Sequence, residues 1–149
     1  MIRKANVDDV KKIQALIGYY ARREAMLPRS LNEIYESIRD FYVYSEGSGL
    51  YGCCALHVDW EDLAEIKSLA VVKRKTKQGI GARLLAACLG DAKALRVKKV
   101  FALTYVPEFF ERAGFTLIDK AGLPHKIWSE CIKCVHFPDC DEHAMLKEI

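Results

Sequence analysis

The sequence predicts a mixed α/β (α+β) domain, and three observations carry that expectation. Apolar residues recur at helical spacing in two early segments and again after residue 79. Short β-type runs, three of them in direct succession, fill the middle of the 149-residue chain. A glycine-rich turn, Gln78-Gly79-Ile80-Gly81-Ala82, joins the last of these, residues 65–72, to a helix-type run that continues Arg83-Leu84-Leu85. The predicted order is β-α-α-β-β-β-α-β-α-β.

Ile2-Arg3-Lys4-Ala5 reads as a first strand. Asn6 or Asp8 caps the helix that follows, with Val10, Ile13, Leu16, Ile17 and Tyr20 on one face. Ser30 and Glu33 have capping-box spacing, so a second helix is expected over residues 31–39 with Ile34, Tyr35 and Ile38 inward. Phe41-Tyr42-Val43-Tyr44 is a strand, Glu46-Gly47-Ser48-Gly49 a hairpin turn, and residues 50–60 the returning strand. Glu61-Asp62 turns the chain into the strand at 65–72. The third helix runs from Gly79 or Ile80 to about Leu95, and residues 99–104 form the next strand. Pro107 suits the first turn of a fourth helix, which ends at Gly114 before a strand at 115–118.

Composition narrows the class. The chain is 51% apolar and 29% charged, ordinary for a globular domain. A net charge of +3 is too small to argue for nucleic acid, and no apolar run is long enough for a membrane span. The N-terminus has no apolar signal-peptide core, so a cytoplasmic protein is expected. No linker or repeat divides residues 1–149, and one domain is expected, with residues 121–149 a cysteine-containing C-terminal segment. Cys53, Cys54 and Cys88 fall in apolar runs and read as buried free thiols.

A glycine turn between strand and helix exposes backbone N–H groups at the positive end of a helix dipole, a site for phosphate oxygens. Gly79 and Gly81 let a ligand approach the backbone closely. The basic run Lys73-Arg74-Lys75-Thr76-Lys77 suits an anion with several phosphates. A dinucleotide fingerprint is excluded because Leu84 stands where its third glycine belongs, and a Walker A loop because Gly-Lys-Ser/Thr is absent.

Thr76-Lys77-Gln78-Gly79-Ile80-Gly81, preceded by a hydrophobic strand, resembles motif A of the acetyl-CoA-dependent GNAT N-acetyltransferases, with Thr76 where that family usually has Arg or Gln. Glu108-Phe109-Phe110-Glu111-Arg112-Ala113-Gly114-Phe115 resembles its motif B. The resemblance covers roughly residues 1–120. It implies a mostly antiparallel sheet flanked by helices and acetyl-CoA as cosubstrate. The pyrophosphate would lie on Lys77, Gln78, Gly79, Ile80, Gly81 and Ala82, and the pantetheine arm on the backbone of Leu69 and Val71.

Acetyl transfer to an amine needs a carboxylate near the acceptor to remove a proton, directly or through water. Glu65 fits by position. Many GNAT members carry a tyrosine in motif B that protonates the leaving thiolate, but the matching residue here is Phe110, which has no proton to give. Tyr105 or Thr104 could donate instead, or the thiolate could leave with a solvent proton. No Cys/His pair beside the glycine loop suggests an acyl-cysteine route.

A narrower resemblance concerns the acceptor. Residues 21–30, Ala64-Glu65-Ile66-Lys67-Ser68-Leu69-Ala70-Val71, Val100-Phe101-Ala102-Leu103-Thr104 and Leu123-Pro124-His125-Lys126 together are similar to the acetyltransferase domain of N-acetylglutamate synthases. That implies L-glutamate as acceptor, in arginine biosynthesis, by direct transfer in a ternary complex. Arg29 and Lys126 suit its carboxylates. A short stand-alone form is expected, without an arginine-binding kinase domain. Alternatives are a GNAT for another small amine or a protein N-terminus, and a non-catalytic CoA-binding or metal-sensing module. The expected partner is a small molecule, with a homodimer as the candidate assembly. Cys131, Cys134 and Cys140, with His136 or His143 as fourth ligand, match the ligand types of a structural zinc site; packed free thiols and a redox pair are the competing readings.

Overall fold

A computed structural model describes residues 1–122 and 142–149. It contains β1 (Ile2–Lys4), α1 (Val10–Ala21), α2 (Leu31–Glu36), β2 (Phe41–Glu46), β3 (Gly49–Trp60), β4 (Leu63–Val71), α3 (Ile80–Ala94), β5 (Lys99–Thr104), α4 (Pro107–Arg112), β6 (Thr116–Ile118) and β7 (His143–Glu148). The strands form one seven-stranded sheet in the order β1-β2-β3-β4-β5-β7-β6. Among the described residues only β4 and β5 run parallel, so the sheet is mixed and mostly antiparallel.

The expected order holds as far as β6. The sequence reading missed β7, which lies between β5 and β6 in the sheet. Its Ala144-Met145-Leu146 core follows a cysteine-rich stretch that gave no period-2 signal. Asn6 caps as expected, but it caps a short 3-10 turn, Val7–Asp9, closed by a reciprocal capping box with Asp9. Asp9 also takes two bonds from the Arg3 guanidinium, at 2.8 and 2.9 Å, which pins β1 to the first helix. The Ser30–Glu33 capping box forms, yet α2 ends at Glu36, short of residue 39. Tyr35, expected inward, is 42% exposed, because a helix this short turns only Ile34 fully onto the sheet.

Helices cover both faces. Val10, Ile13 and Ile17 of α1 and Ile34 of α2 pack on Val43, Cys53 and Ala70. On the other face Leu84, Leu85 and Cys88 of α3 and Phe110 of α4 pack on Ile66 and Ala102. Cys53, Cys54 and Cys88 are buried free thiols, as the sequence predicted. No helix among the described residues is long and apolar enough to cross a membrane.

Candidate active site

The sheet opens at its middle. Among the described residues β4 pairs with β5 only from Leu63↔Lys99 to Ile66↔Ala102, although both strands continue further. A bulge in β4 coincides with the separation: Cys53 pairs with Ala70 and Ala55 with Lys67, so Ser68 and Leu69 oppose Cys54 alone. Ser68 takes a positive φ of 56°, and its carbonyl accepts from the Cys53 thiol at 3.2 Å. The sequence carried no sign of the bulge, because serine is not the residue that left-handed backbone favours.

The parted strands border a cleft of about 950 Å³. Leu69 and Val71 line one wall, and Leu103, Thr104 and Tyr105 the other. Thr76 and Gly81 line its glycine-turn end, and Phe109 and Phe110 its α4 side. Gly79 caps α3 with φ +80°, and nothing lies within 4 Å of where a Cβ would stand. Lys77 is also left-handed, φ +66°, so the turn needs two such residues and only one is glycine. Lys77, Gln78, Gly79 and Ala82 are exposed, while Ile80 is 3% exposed and turns its side chain into the α3 core. Ile80 therefore offers a ligand only backbone. The upstream basic run is partly engaged elsewhere: Lys75 pairs with Glu46 at 3.5 Å, and both Lys75 and Arg74 sit over the Tyr51 ring.

At the other end of the cleft stands the loop between α1 and α2. Arg29 lines the cleft with its side chain 13% exposed, and it pairs with Glu33 of α2 at 3.6 Å. Glu65 lines the same cleft and is 8% exposed, too buried for an ordinary surface carboxylate. The Thr104 hydroxyl accepts the Val106 N–H at 2.9 Å and is 7% exposed. Tyr105 follows it on the cleft wall. Phe110 is 4% exposed in edge-to-face contact with Phe109 and Phe115, a packing role that needs no hydroxyl.

The structure brings together residues that the sequence reading did not connect. Lys67, two residues beyond Glu65, is a cleft-lining cation. Tyr20 was read as a helix-face apolar residue; its hydroxyl instead donates to the Val71 carbonyl at 2.5 Å and its ring lines the cleft. Burial raises its pKa, which keeps it a phenol donor. Period-2 alternation from Glu65 was the available signal for Lys67. For Tyr20 there was none, because its partner lies 51 residues away.

Lys126, Cys131, Cys134, Cys140 and His136 lie outside the described residues. His143 is exposed on β7, in register with Thr104. Among the described residues no group of three or more His, Cys, Asp or Glu is placed to hold a metal ion. No cysteine among them lines the cleft. Burial pushes the Cys53 thiol up to about 12, and the Cys54 thiol, hydrogen-bonded with Cys88 and buried, is raised as well, so neither offers a thiolate nucleophile.

A glycine turn at a helix start, a parted sheet and a buried carboxylate thus border one cleft. Residues 37–117 match the acetyltransferase (GNAT) domain. An uncharacterized N-acetyltransferase of Chlorobaculum tepidum is 38% identical over 148 residues, 99% of this chain and 96% of that protein. An amino-acid acetyltransferase of Mycobacterium tuberculosis is 37% identical over 134 residues, 87% and 76% of the two chains. Among solved structures, N-acetylglutamate synthase of Neisseria gonorrhoeae, complexed with coenzyme A and N-acetyl-glutamate, superposes with TM-score 0.90 at 28% identity, over 99% of this chain and 34% of that one. A Mycobacterium tuberculosis protein crystallised with CoA superposes with TM-score 0.85 at 32% identity, over 100% and 99% of the chains. The chain belongs to the GNAT acetyltransferase family and is an acyltransferase.

Proposed function

We propose that this enzyme transfers the acetyl group of acetyl-CoA to the α-amine of L-glutamate, by direct transfer in a ternary complex. The observation that carries the proposal is the single cleft running from the glycine turn, past the parted strands, to Glu65, Lys67 and Arg29. The solved relatives that hold coenzyme A, one of them with N-acetyl-glutamate, support it.

The residues present fit CoA. Among the described residues β4 pairs with β5 as far as Ile66, and Leu69 and Val71 farther along β4 line the cleft, so their backbone can pair with an amide-bearing arm. The open space beside Gly79 and the first amides of α3 suit a pyrophosphate on Lys77, Gln78, Gly79, Ile80, Gly81 and Ala82. Acetyl-CoA supplies an activated acetyl thioester there. Arg29 and Lys67, both on the cleft, orient the glutamate carboxylates, and Lys126, outside the described residues, is the further cation the sequence offers. Glu65 takes a proton from the acceptor ammonium, directly or through one water, and so frees the amine lone pair. Attack leaves a second proton to be lost from the nitrogen; Tyr105 or Thr104, at the end of β5, gives its hydroxyl proton to the departing thiolate and regains one from that nitrogen, directly or through water. No acyl-enzyme is needed, consistent with the buried thiols.

Bisubstrate initial-rate kinetics with acetyl-CoA and L-glutamate, with the product identified by mass spectrometry, test this. Intersecting reciprocal plots and N-acetyl-L-glutamate as product are expected. Parallel plots, or CoA release without an acetylated glutamate, would reject it.

A further inference from the structure

A base with 8% exposure must pass its proton on before the next turnover. Glu65 pairs directly with His57 across the antiparallel β3–β4 ladder. Directly opposed residues point to one face of a sheet, with Cβ atoms roughly 4.5–5.5 Å apart. Glu65 and His57 are therefore neighbours on the face that carries Ala55 and the α1–α2 core. Glu65 lines the cleft, whereas His57 stands on its outer side with 47% of its side chain exposed.

His57 is held in a defined orientation. Its Nδ1 lies 2.9 Å from an Asp40 carboxylate oxygen, from the 3-10 turn Ile38–Asp40 that precedes β2. A hydrogen on Nδ1 satisfies that carboxylate and leaves Nε2 as the proton acceptor. Among the described residues, the charged groups around the ring are Asp40, Asp59 of β3 with Oδ1 3.9 Å from Nε2, and Lys67 and Glu65 of β4. Asp40 and Asp59 favour the imidazolium, and burial and Lys67 oppose it. The hydrogen bond that His57 Nδ1–H donates to Asp40 is the largest influence and raises the imidazole pKa.

We infer that the His57–Asp40 pair is the proton exit of the active site, carrying the acceptor's proton from Glu65 to solvent. The inference rests on the reading of Glu65 as the base. In each turnover one proton leaves the acceptor ammonium for a Glu65 oxygen, moves to Nε2 of His57 directly or through one water, and is lost to bulk water or buffer. Asp40 holds the Nδ1 hydrogen throughout and stabilises the transient imidazolium. His57 touches neither substrate and acts only through Glu65.

The test measures kcat at saturating substrates against pH and buffer concentration, for the wild type, His57→Gln and Asp40→Asn. His57→Gln is expected to lose roughly 10-fold in kcat in dilute buffer, less than the 10²–10⁴ of a primary base. Added imidazole restores the rate, and the KM values for both substrates stay within about twofold, since no group touching substrate changes. Asp40→Asn keeps a hydrogen-bond acceptor but removes the charge, so it moves the acid limb of kcat to lower pH. An active wild type whose kcat and pH profile survive His57→Gln would overturn the exit and leave the acetyltransfer reading standing. So would a loss that imidazole does not restore. A folded wild type that releases no CoA with any amine would overturn both.

Discussion

Gly81→Val separates a ligand cradle from a mere tight turn. Gly81 is the second residue of α3. A Cβ there meets Phe109 Cε1 at 3.4 Å and Val71 Cγ2 at 3.8 Å, ordinary contact distances. Valine is a slightly better helix former than glycine, and crowding of its methyls against the Phe109 ring costs about 1 kcal/mol. The free protein should lose no more than about 1 kcal/mol, or about 4 °C in Tm. The consequence for CoA is larger. The branched side chain stands in the cleft and keeps phosphate oxygens off the first amides of α3. Each charge-assisted hydrogen bond so lost is worth about 1.5–3 kcal/mol, or about 10–150-fold in Kd. Calorimetric titration of CoA beside a thermal melt reads both effects. A folded variant with wild-type CoA affinity would refute the placement of the pyrophosphate on this turn.

Three further outcomes are expected. Glu65→Gln should lower kcat about 10²–10⁴-fold while CoA affinity, measured by calorimetry, stays unchanged. Arg29→Ala should raise the KM for glutamate about 10–150-fold, a lost charged hydrogen bond, whereas Glu33→Gln, which removes the charge paired with Arg29 and keeps an oxygen to accept the Ser30 N–H, leaves that KM within a few-fold. Asp9→Asn should destabilise the fold by about 2 kcal/mol through loss of the bidentate Arg3 bond. Folding lowers the Asp9 carboxyl pKa, chiefly through that bond, so its contribution is complete above pH about 4 and fades as acid protonates the folded form. Denaturant melts of wild type and variant should therefore differ at neutral pH and converge in acid.

Local chemistry explains which features were legible in the sequence. The cap at Asn6, the capping box at Ser30, the glycine turn and the Pro107 helix start are set by residues close in sequence, and the structure forms all of them. The buried face of α1 followed from spacing alone. Features decided by distant partners were not legible. The Ser68 bulge depends on what β3 and β5 demand of β4, and the Tyr20–Val71 bond spans α1 and β4. Strand β7 forms by inserting between β5 and β6, which its own six residues do not announce. At the site, Glu65, Leu69, Val71, Gly81, Thr104, Tyr105 and Arg29 all converge on one cleft. Lys67 and His57 drew no notice as single surface-type residues. Their meaning comes from strand register with Glu65.

The central claim is that the acceptor is L-glutamate, and a direct competition among acceptors tests it best. Thiol release from acetyl-CoA would be followed with L-glutamate, L-glutamine, L-aspartate, L-leucine, L-lysine and a short peptide with a free N-terminus, each over a full concentration range. The expected result is a kcat/KM for L-glutamate at least about 10-fold above every other acceptor, the discrimination that one charged carboxylate contact supports. A higher kcat/KM for the peptide or for an acceptor without a side-chain carboxylate would contradict it.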